Sequence, residues 1–158
     1  MLNIRVPANS EKFKIAEFLN NTDSKKIDIS IKLKNSMIAC INDEIVGFVS
    51  YTQIPDNKER AILDVLLVKK EYRGQYIGDG LVKAILNLAE KRGIKRVYCI
   101  KDEKNSLFFK KVGFTIRTGT DLEFIKKYIH NHIQSDKRLL IFEAKLPEFF
   151  NKPCRSNL

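Results

Sequence analysis

No apolar run in this sequence approaches the ~20 residues that a membrane-spanning helix requires, so no membrane partner is expected. The opening residues, MLNIRVPANSEKFK, lack the basic start and apolar centre of a secretory signal. Cysteine is sparse and odd in number: Cys40, Cys99 and Cys154 are far apart and show neither zinc-like spacing nor a disulfide framework. Two of them fall in strand-like runs, which reads as buried free thiols in a reducing, cytoplasmic setting. Histidine occurs only at His130 and His132, and both are expected on a helix surface rather than in chemistry. Internal repeats, linkers and low-complexity tracts are missing. The 158 residues therefore read as one domain, 1–158, long enough to bury roughly two-thirds of its unfolded surface.

What is abundant is positive charge. A formal net charge of +10 can signal nucleic acid, an anionic surface or an acidic ligand such as a nucleotide. Here the excess is mostly lysine spread from Lys12 to Lys152, with little arginine and no basic helix interleaved with aromatics. A solvated lysine surface with modest attraction for anions is the expectation, and nucleic-acid binding is disfavoured.

Along the chain, residues 2–6 alternate as a short strand, and Asn9 or Ser10 can cap a helix with Phe13, Ile15, Ala16, Phe18 and Leu19 on one face. Residues 22–35 are polar and lysine-rich and read as a loop that borders a substrate site. Residues 36–41, 45–53 and 61–68 predict an antiparallel meander, with turns at Asn42-Asp43-Glu44 and Pro55-Asp56-Asn57. Leu81, Val82, Ala84, Ile85, Leu88 and Ala89 repeat at helical spacing up to the C-cap Gly93. With the strand at 96–100, this makes a βαβ unit and a parallel strand pair. A short helix follows Asn105 and closes at Gly113, and a strand runs from 114 to 118. Thr120 and Glu123 match a capping box ahead of an amphipathic helix over 121–133. A last strand covers 139–146, and the tail from Pro147 is expected to be peripheral. The fold class is mixed α/β: a mostly antiparallel sheet with a central parallel βαβ unit, flanked by helices.

Between the strand ending at Val68 and the helix lies a loop with Gly74, Gly78 and Gly80. Strand, glycine loop and helix N-terminus form a recipe for an anion. The first helical N–H groups and the positive end of the helix dipole favour a phosphate, and glycine lets it approach the backbone. No Gly-Lys-Ser/Thr follows, so this is not a Walker loop, and its position does not fit the dinucleotide fingerprint.

Gln75-x-x-Gly78-x-Gly80, preceded by Arg73-Gly74, resembles the signature loop of the GNAT superfamily of acetyl-CoA-dependent N-acetyltransferases. The segment NSLFFKKVGF, residues 105–114, resembles that family's C-terminal motif, an aromatic pair ahead of a Gly-Phe. The resemblance covers about residues 36–118. It implies transfer of the acetyl group of acetyl-CoA to an amine through a ternary complex, without a metal. The alternative is a coenzyme A-binding module without catalysis. The partners implied are acetyl-CoA and an amine-bearing acceptor, small molecule or protein, with a homodimer left open.

By the same resemblance, strands 61–68 and 96–100 splay apart, and the pantetheine arm pairs with Leu66, Leu67 and Val68. Arg73, Gly74, Gln75, Tyr76, Ile77, Gly78, Asp79 and Gly80 would hold the pyrophosphate. Asn105 would bond the pantetheine arm or simply cap its helix, and Phe108 would line the channel or the core. Asp64 stands where several members carry a glutamate base. On an alternating strand it is expected to share a face with Leu66 and Val68. Glu71 is a loop alternative, and one of Tyr98 and Cys99, on opposite faces of their strand, would face the cleft unless, as is commoner, it packs in the core. Two departures stand out. Tyr76 replaces a common glycine and would be strained at positive φ. Phe109 replaces a tyrosine that serves many members as general acid, although a thiol with a pKa near ~8.5 can leave without one.

Overall fold

The computed structural model describes residues 1–22, 33–117, 125 and 139–150. Seven strands occupy it: β1 (Leu2–Arg5), β2 (Ser36–Ile41), β3 (Glu44–Ile54), β4 (Asn57–Val68), β5 (Arg96–Asp102), β6 (Thr115–Arg117) and β7 (Leu139–Lys145). They form one sheet in the order β1-β2-β3-β4-β5-β7-β6. Neighbours pair antiparallel except β4 and β5, the strands joined by a helical crossover. The predicted meander and parallel pair are both present.

Four helices accompany the sheet among the described residues: α1 (Lys12–Thr22), α2 (Ile77–Lys91), α3 (Ser106–Val112) and α4 (Leu146–Phe150). On one face, α2 buries Ile77, Leu81, Val82, Ile85, Leu86 and Ala89. These side chains share a core with Leu63, Val97, Cys99, Phe109 and Phe142. Each large aliphatic side chain buried here is worth about 1.5–3 kcal/mol. The opposite face is covered by α1, where Ile15, Phe18 and Leu19 meet Ile38, Cys40, Phe48 and Val65.

Close approach of α2 to the sheet depends on Gly47. A Cβ there would lie 2.7 Å from Leu81 Cδ1 and 3.3 Å from the Leu67 carbonyl oxygen. Nothing in the local sequence pattern distinguishes this glycine, because its partner is a helix thirty-odd residues away.

Two expectations change. The helix expected from Leu81 begins at Ile77, so half of the glycine loop is its first turn. Gly78 and Gly80 have poor helix propensity and hide the start, but burial of Ile77 and the rest of the apolar face overrides that preference. Residues 147–150, the start of the tail expected to be peripheral, instead belong to α4, and 151–158 lie outside the described residues. Leu146 and Phe149 are buried, and Phe149 packs its ring 6.1 Å from that of Phe114. The helix expected over 121–133, with His130 and His132, lies outside the described residues apart from the buried Ile125. So do residues 23–32 and Cys154.

Candidate active site

The parallel pairing of β4 with β5 is short. It runs from Arg60 opposite Arg96 to Ile62 opposite Tyr98, and there it stops. Beyond that point β5 continues to pair with β7 as far as Asp102, while β4 continues to pair with β3 as far as Val68. The two strands therefore splay, and residues 63–68 have an edge turned to the gap.

Which groups point into the gap follows from strand alternation. The Lys69 N–H donates to the Val46 carbonyl at 2.7 Å, so Lys69 and, two residues back, Leu67 address β3. Leu66 and Val68 then present their N–H and C=O to the gap. Arg73 agrees with this, since its Nε donates to the Val68 carbonyl oxygen at 3.0 Å from the loop side.

At the end of this edge the chain turns through the 3-10 turn Lys70–Tyr72 and Gly74 (φ 84) into α2. Tyr76 is the residue before the helix and is left-handed, at φ 62 and ψ 15. The strain expected of a non-glycine residue there is present. The first intrahelical bond recorded at this end is Gly80 N–H to the Tyr76 carbonyl at 3.1 Å. The N–H groups of Ile77, Gly78 and Asp79 precede it and are donors without an intrahelical acceptor.

A cavity of about 880 Å³ lies over these groups. Leu66, Leu67, Val68, Arg73, Gly74, Tyr76, Ile77, Gly78, Asp79 and Phe108, all expected at the coenzyme, line it. Tyr72, Lys83, Lys111 and Val112 line it as well. Gly78 is its floor: a Cβ there would touch Phe108 at 3.5 Å and Val68 Cγ2 at 3.8 Å, filling the concavity. Arg73, Lys83 and Lys111 bring positive charge, and Lys83 Nζ lies 2.8 Å from the Asp79 carboxylate and offsets it. Lys111 stands three residues beyond Phe108 on α3, the i,i+3 spacing that would have revealed it.

Two residues assigned to the loop lie outside the cavity wall. Gly80 faces away from the cavity, and a Cβ there would approach Ile4 Cδ1 at 3.0 Å, so this glycine serves packing of α2 against β1. Gln75 is exposed and is not part of the cavity wall. Asn105 ends the 3-10 turn Glu103–Asn105 immediately before α3, and its side chain lies outside the described residues. Phe109 is buried in the core, its ring 5.0 Å from Phe108 and 5.5 Å from both Phe114 and Phe142. Glu71 is exposed on its turn and stands outside the cavity.

Asp64 requires a correction. Ser50 pairs with Val65 and Tyr51 with Leu63, which leaves Asp64 as the extra residue of a β-bulge. The bulge resets the alternation. Leu63 and Leu66 both reach the α2-side core, whereas Val65 reaches the α1-side core. Asp64 is hence not on the face of Leu66 and Val68. Its Oδ1 accepts from Ser50 Oγ at 2.9 Å and its Oδ2 from Thr52 Oγ1, and both hydroxyls belong to the α1 face. The carboxylate lies at the apex of the splay, two residues past the last β4–β5 pair.

The α1 face of β5 and β7 adds Tyr98 and Glu143, directly paired across the strands. Cys99 goes the other way, into the α2-side core, where burial pushes its thiol up to about 12. The Tyr98 ring is fully buried with the Arg60 guanidinium 6.0 Å from its centroid. Burial and then the neighbouring Glu143 carboxylate raise the Tyr98 phenol. Glu143, 3% exposed, lies 3.7 Å from Arg96 Nη1 and 3.6 Å from Arg117 Nη1. Sequence reasoning missed Ser50, Thr52, Arg60 and Glu143, since each is an ordinary strand residue until the register is known.

Comparison with known proteins fits this geometry. No curated protein sequence matches the chain. Among solved structures, the fold is similar to N-acetylglutamate synthase from Neisseria gonorrhoeae, complexed with coenzyme A and N-acetyl-glutamate. The TM-score is 0.71 at 15% identity over 92% of this chain, and the match spans 35% of that longer protein. It is also similar to a GNAT-family acetyltransferase from Staphylococcus aureus, with a TM-score of 0.65, 18% identity, and coverage of 92% of this chain and 99% of that one. Arabidopsis thaliana Naa50, in complex with the bisubstrate analogue CoA-Ac-MVNAL, has a TM-score of 0.69 at 17% identity, covering 91% of this chain and 98% of that one. The model of the acetyltransferase (GNAT) family matches residues 3–114, which is well over half of the sequence. The splayed strands, the helix-start amides and this match lead to one conclusion: the chain belongs to the acetyltransferase (GNAT) family and is an acyltransferase.

Proposed function

We propose that this protein transfers the acetyl group of acetyl-CoA directly to an amine acceptor, both bound at once. The observation that carries the proposal is that the open edge of β4 and the first turn of α2 line one cavity. Acetyl-CoA supplies an acetyl group activated as a thioester. Leu66 and Val68 would receive its pantetheine arm as an added strand, and one of their N–H groups would stabilise negative charge on the carbonyl oxygen. The amides of Ile77, Gly78 and Asp79 would hold the pyrophosphate at the positive end of α2, with Arg73, Lys83 and Lys111 adding charge.

Asp64 is the base in this scheme. It lies on the α1 face, opposite the cavity, so an amine entering from that side meets the carboxylate at the apex of the splay. Ser50 and Thr52 hold both carboxylate oxygens in place. The nitrogen forms its bond to the acetyl carbon as the carbon–sulfur bond breaks. Asp64 takes the nitrogen's proton, and the sulfur leaves as thiolate, which its ordinary pKa allows near neutral pH.

The second reading is a coenzyme A-binding module without catalysis. The burial of Phe109 in an aromatic cluster favours it, because that position offers no hydroxyl to the leaving group. Titration calorimetry with CoA, followed by thiol release with a panel of amines, separates the two. Binding together with release on an amine supports the transferase. Binding with no release from any amine supports the module. Absence of binding at millimolar CoA would falsify both.

A further inference from the structure

Tyr76 sits in a conformation that glycine adopts at no cost and tyrosine does not. Its side chain recovers little in return, because the ring is 86% exposed. A bulky residue held in a strained position with its side chain in solvent has no explanation in the folding of the chain. It does have one in the cavity, which Tyr76 lines directly before the three helix-start amides.

The ligand expected in that cavity has one flat aromatic part, its adenine. With pantetheine along β4 and pyrophosphate on the first turn of α2, the nucleoside continues outward past the amides. Tyr76 is the exposed aromatic residue of the cavity wall. Of the other two aromatics there, Tyr72 packs against the α2-side core, and Phe108 lies beside Gly78 and is already engaged edge-on by Phe109. We infer that the Tyr76 ring is a stacking platform for the adenine of coenzyme A, making this loop a reader of the nucleoside as well as of the phosphates. The inference rests on the coenzyme reading above. Its physical basis is that an aromatic face accepts a purine by stacking and apolar burial, without any hydrogen-bond code.

Calorimetry on the full chain tests it with two ligands, CoA and 4′-phosphopantetheine, which lacks the adenosine 3′,5′-bisphosphate part. Tyr76→Ala should weaken CoA about tenfold while leaving phosphopantetheine within about twofold. Tyr76→Phe, which keeps the ring, should bind CoA like the parent. Tyr76→Gly relieves the backbone and should melt no lower than the parent, yet lose CoA affinity as Tyr76→Ala does, which rules out misfolding as the cause. Equal CoA affinity in Tyr76→Ala and the parent overturns the inference. So does a loss in Tyr76→Phe as large as in Tyr76→Ala, which would assign the contact to the hydroxyl. An equal loss on phosphopantetheine overturns it too, by showing that the loop itself has been disturbed. A parent protein that binds neither ligand removes the coenzyme reading itself, a different result from one in which the parent binds and Tyr76 is irrelevant.

Discussion

The two faces of the sheet around β4 are built in opposite ways. On the α2 face, the cavity comes entirely from two stretches, residues 66–83 and 108–112. On the α1 face, the polar groups come one or two at a time from β3, β4, β5 and β7: Ser50 and Thr52, Arg60 and Asp64, Tyr98, Glu143. The first face needs a helix start and a strand edge in sequence order, which short-range chemistry can specify. The second needs a bulge and a register, which only the assembled sheet supplies. The site proposed for the coenzyme is contiguous, and the one proposed for the acceptor is scattered.

The sharpest way to break this comparison is to remove function from one face and leave the other intact. Asp64→Asn should reduce turnover by about a hundredfold to ten-thousandfold, the usual range for a lost general base, with CoA affinity unchanged. Steady-state kinetics beside calorimetry checks it. Equal turnover at every pH would remove Asp64 from the chemistry and leave it a clasp for Ser50 and Thr52. The converse is Gly78→Trp, which fills the cavity floor between Phe108 and Val68 and should weaken CoA by about a hundredfold or more in a folded protein. Unchanged affinity would mean that the coenzyme does not rest on that turn.

Smaller effects concern the supports behind each face. Gly113 ends α3 at φ 126, and a Cβ there would lie 2.9 Å from Phe149 Cε2. Gly113→Ala combines backbone strain with a clash inside the aromatic core and should cost about 2–4 kcal/mol by denaturant unfolding. On the α1 side, Arg5 grips Glu11 through two hydrogen bonds of 2.6 and 2.7 Å, and the Ala8 N–H donates to the same carboxylate. These bonds hold Glu11 down to about 2, below its ordinary 4.5. Because the folded value is the lower one, the stabilisation is complete above about 4.5 and is lost as pH falls toward 2. Glu11→Gln should therefore be less stable than the parent at neutral pH, with the difference closing as the buffer is acidified. A gap that stays constant with pH would assign the loss to packing.

The limits of the sequence show at particular residues. Leu66 to Val68, Gly78 and Phe108 could be placed in advance, because an apolar run, a glycine and an aromatic at helical spacing keep their meaning in most contexts. Tyr76 could be flagged as strained, but not shown with its ring in solvent. Gly80 reads as part of the phosphate cradle and turns out to face Ile4, because which side of a helix start a glycine lies on depends on what packs there. Asp64 reads as a neighbour of Leu66 across one alternation, and a single inserted residue reverses that.

By itself, then, the sequence determined the mixed α/β fold, the order of its elements and the loop that would hold the coenzyme. These depend on periodicity and on turn and cap chemistry within a few residues. The tertiary structure alone decided where the parallel pair ends, which edge of β4 is open, and which face carries Asp64. Those follow from strand register, a property of two segments together, and a shift of one residue exchanges the faces.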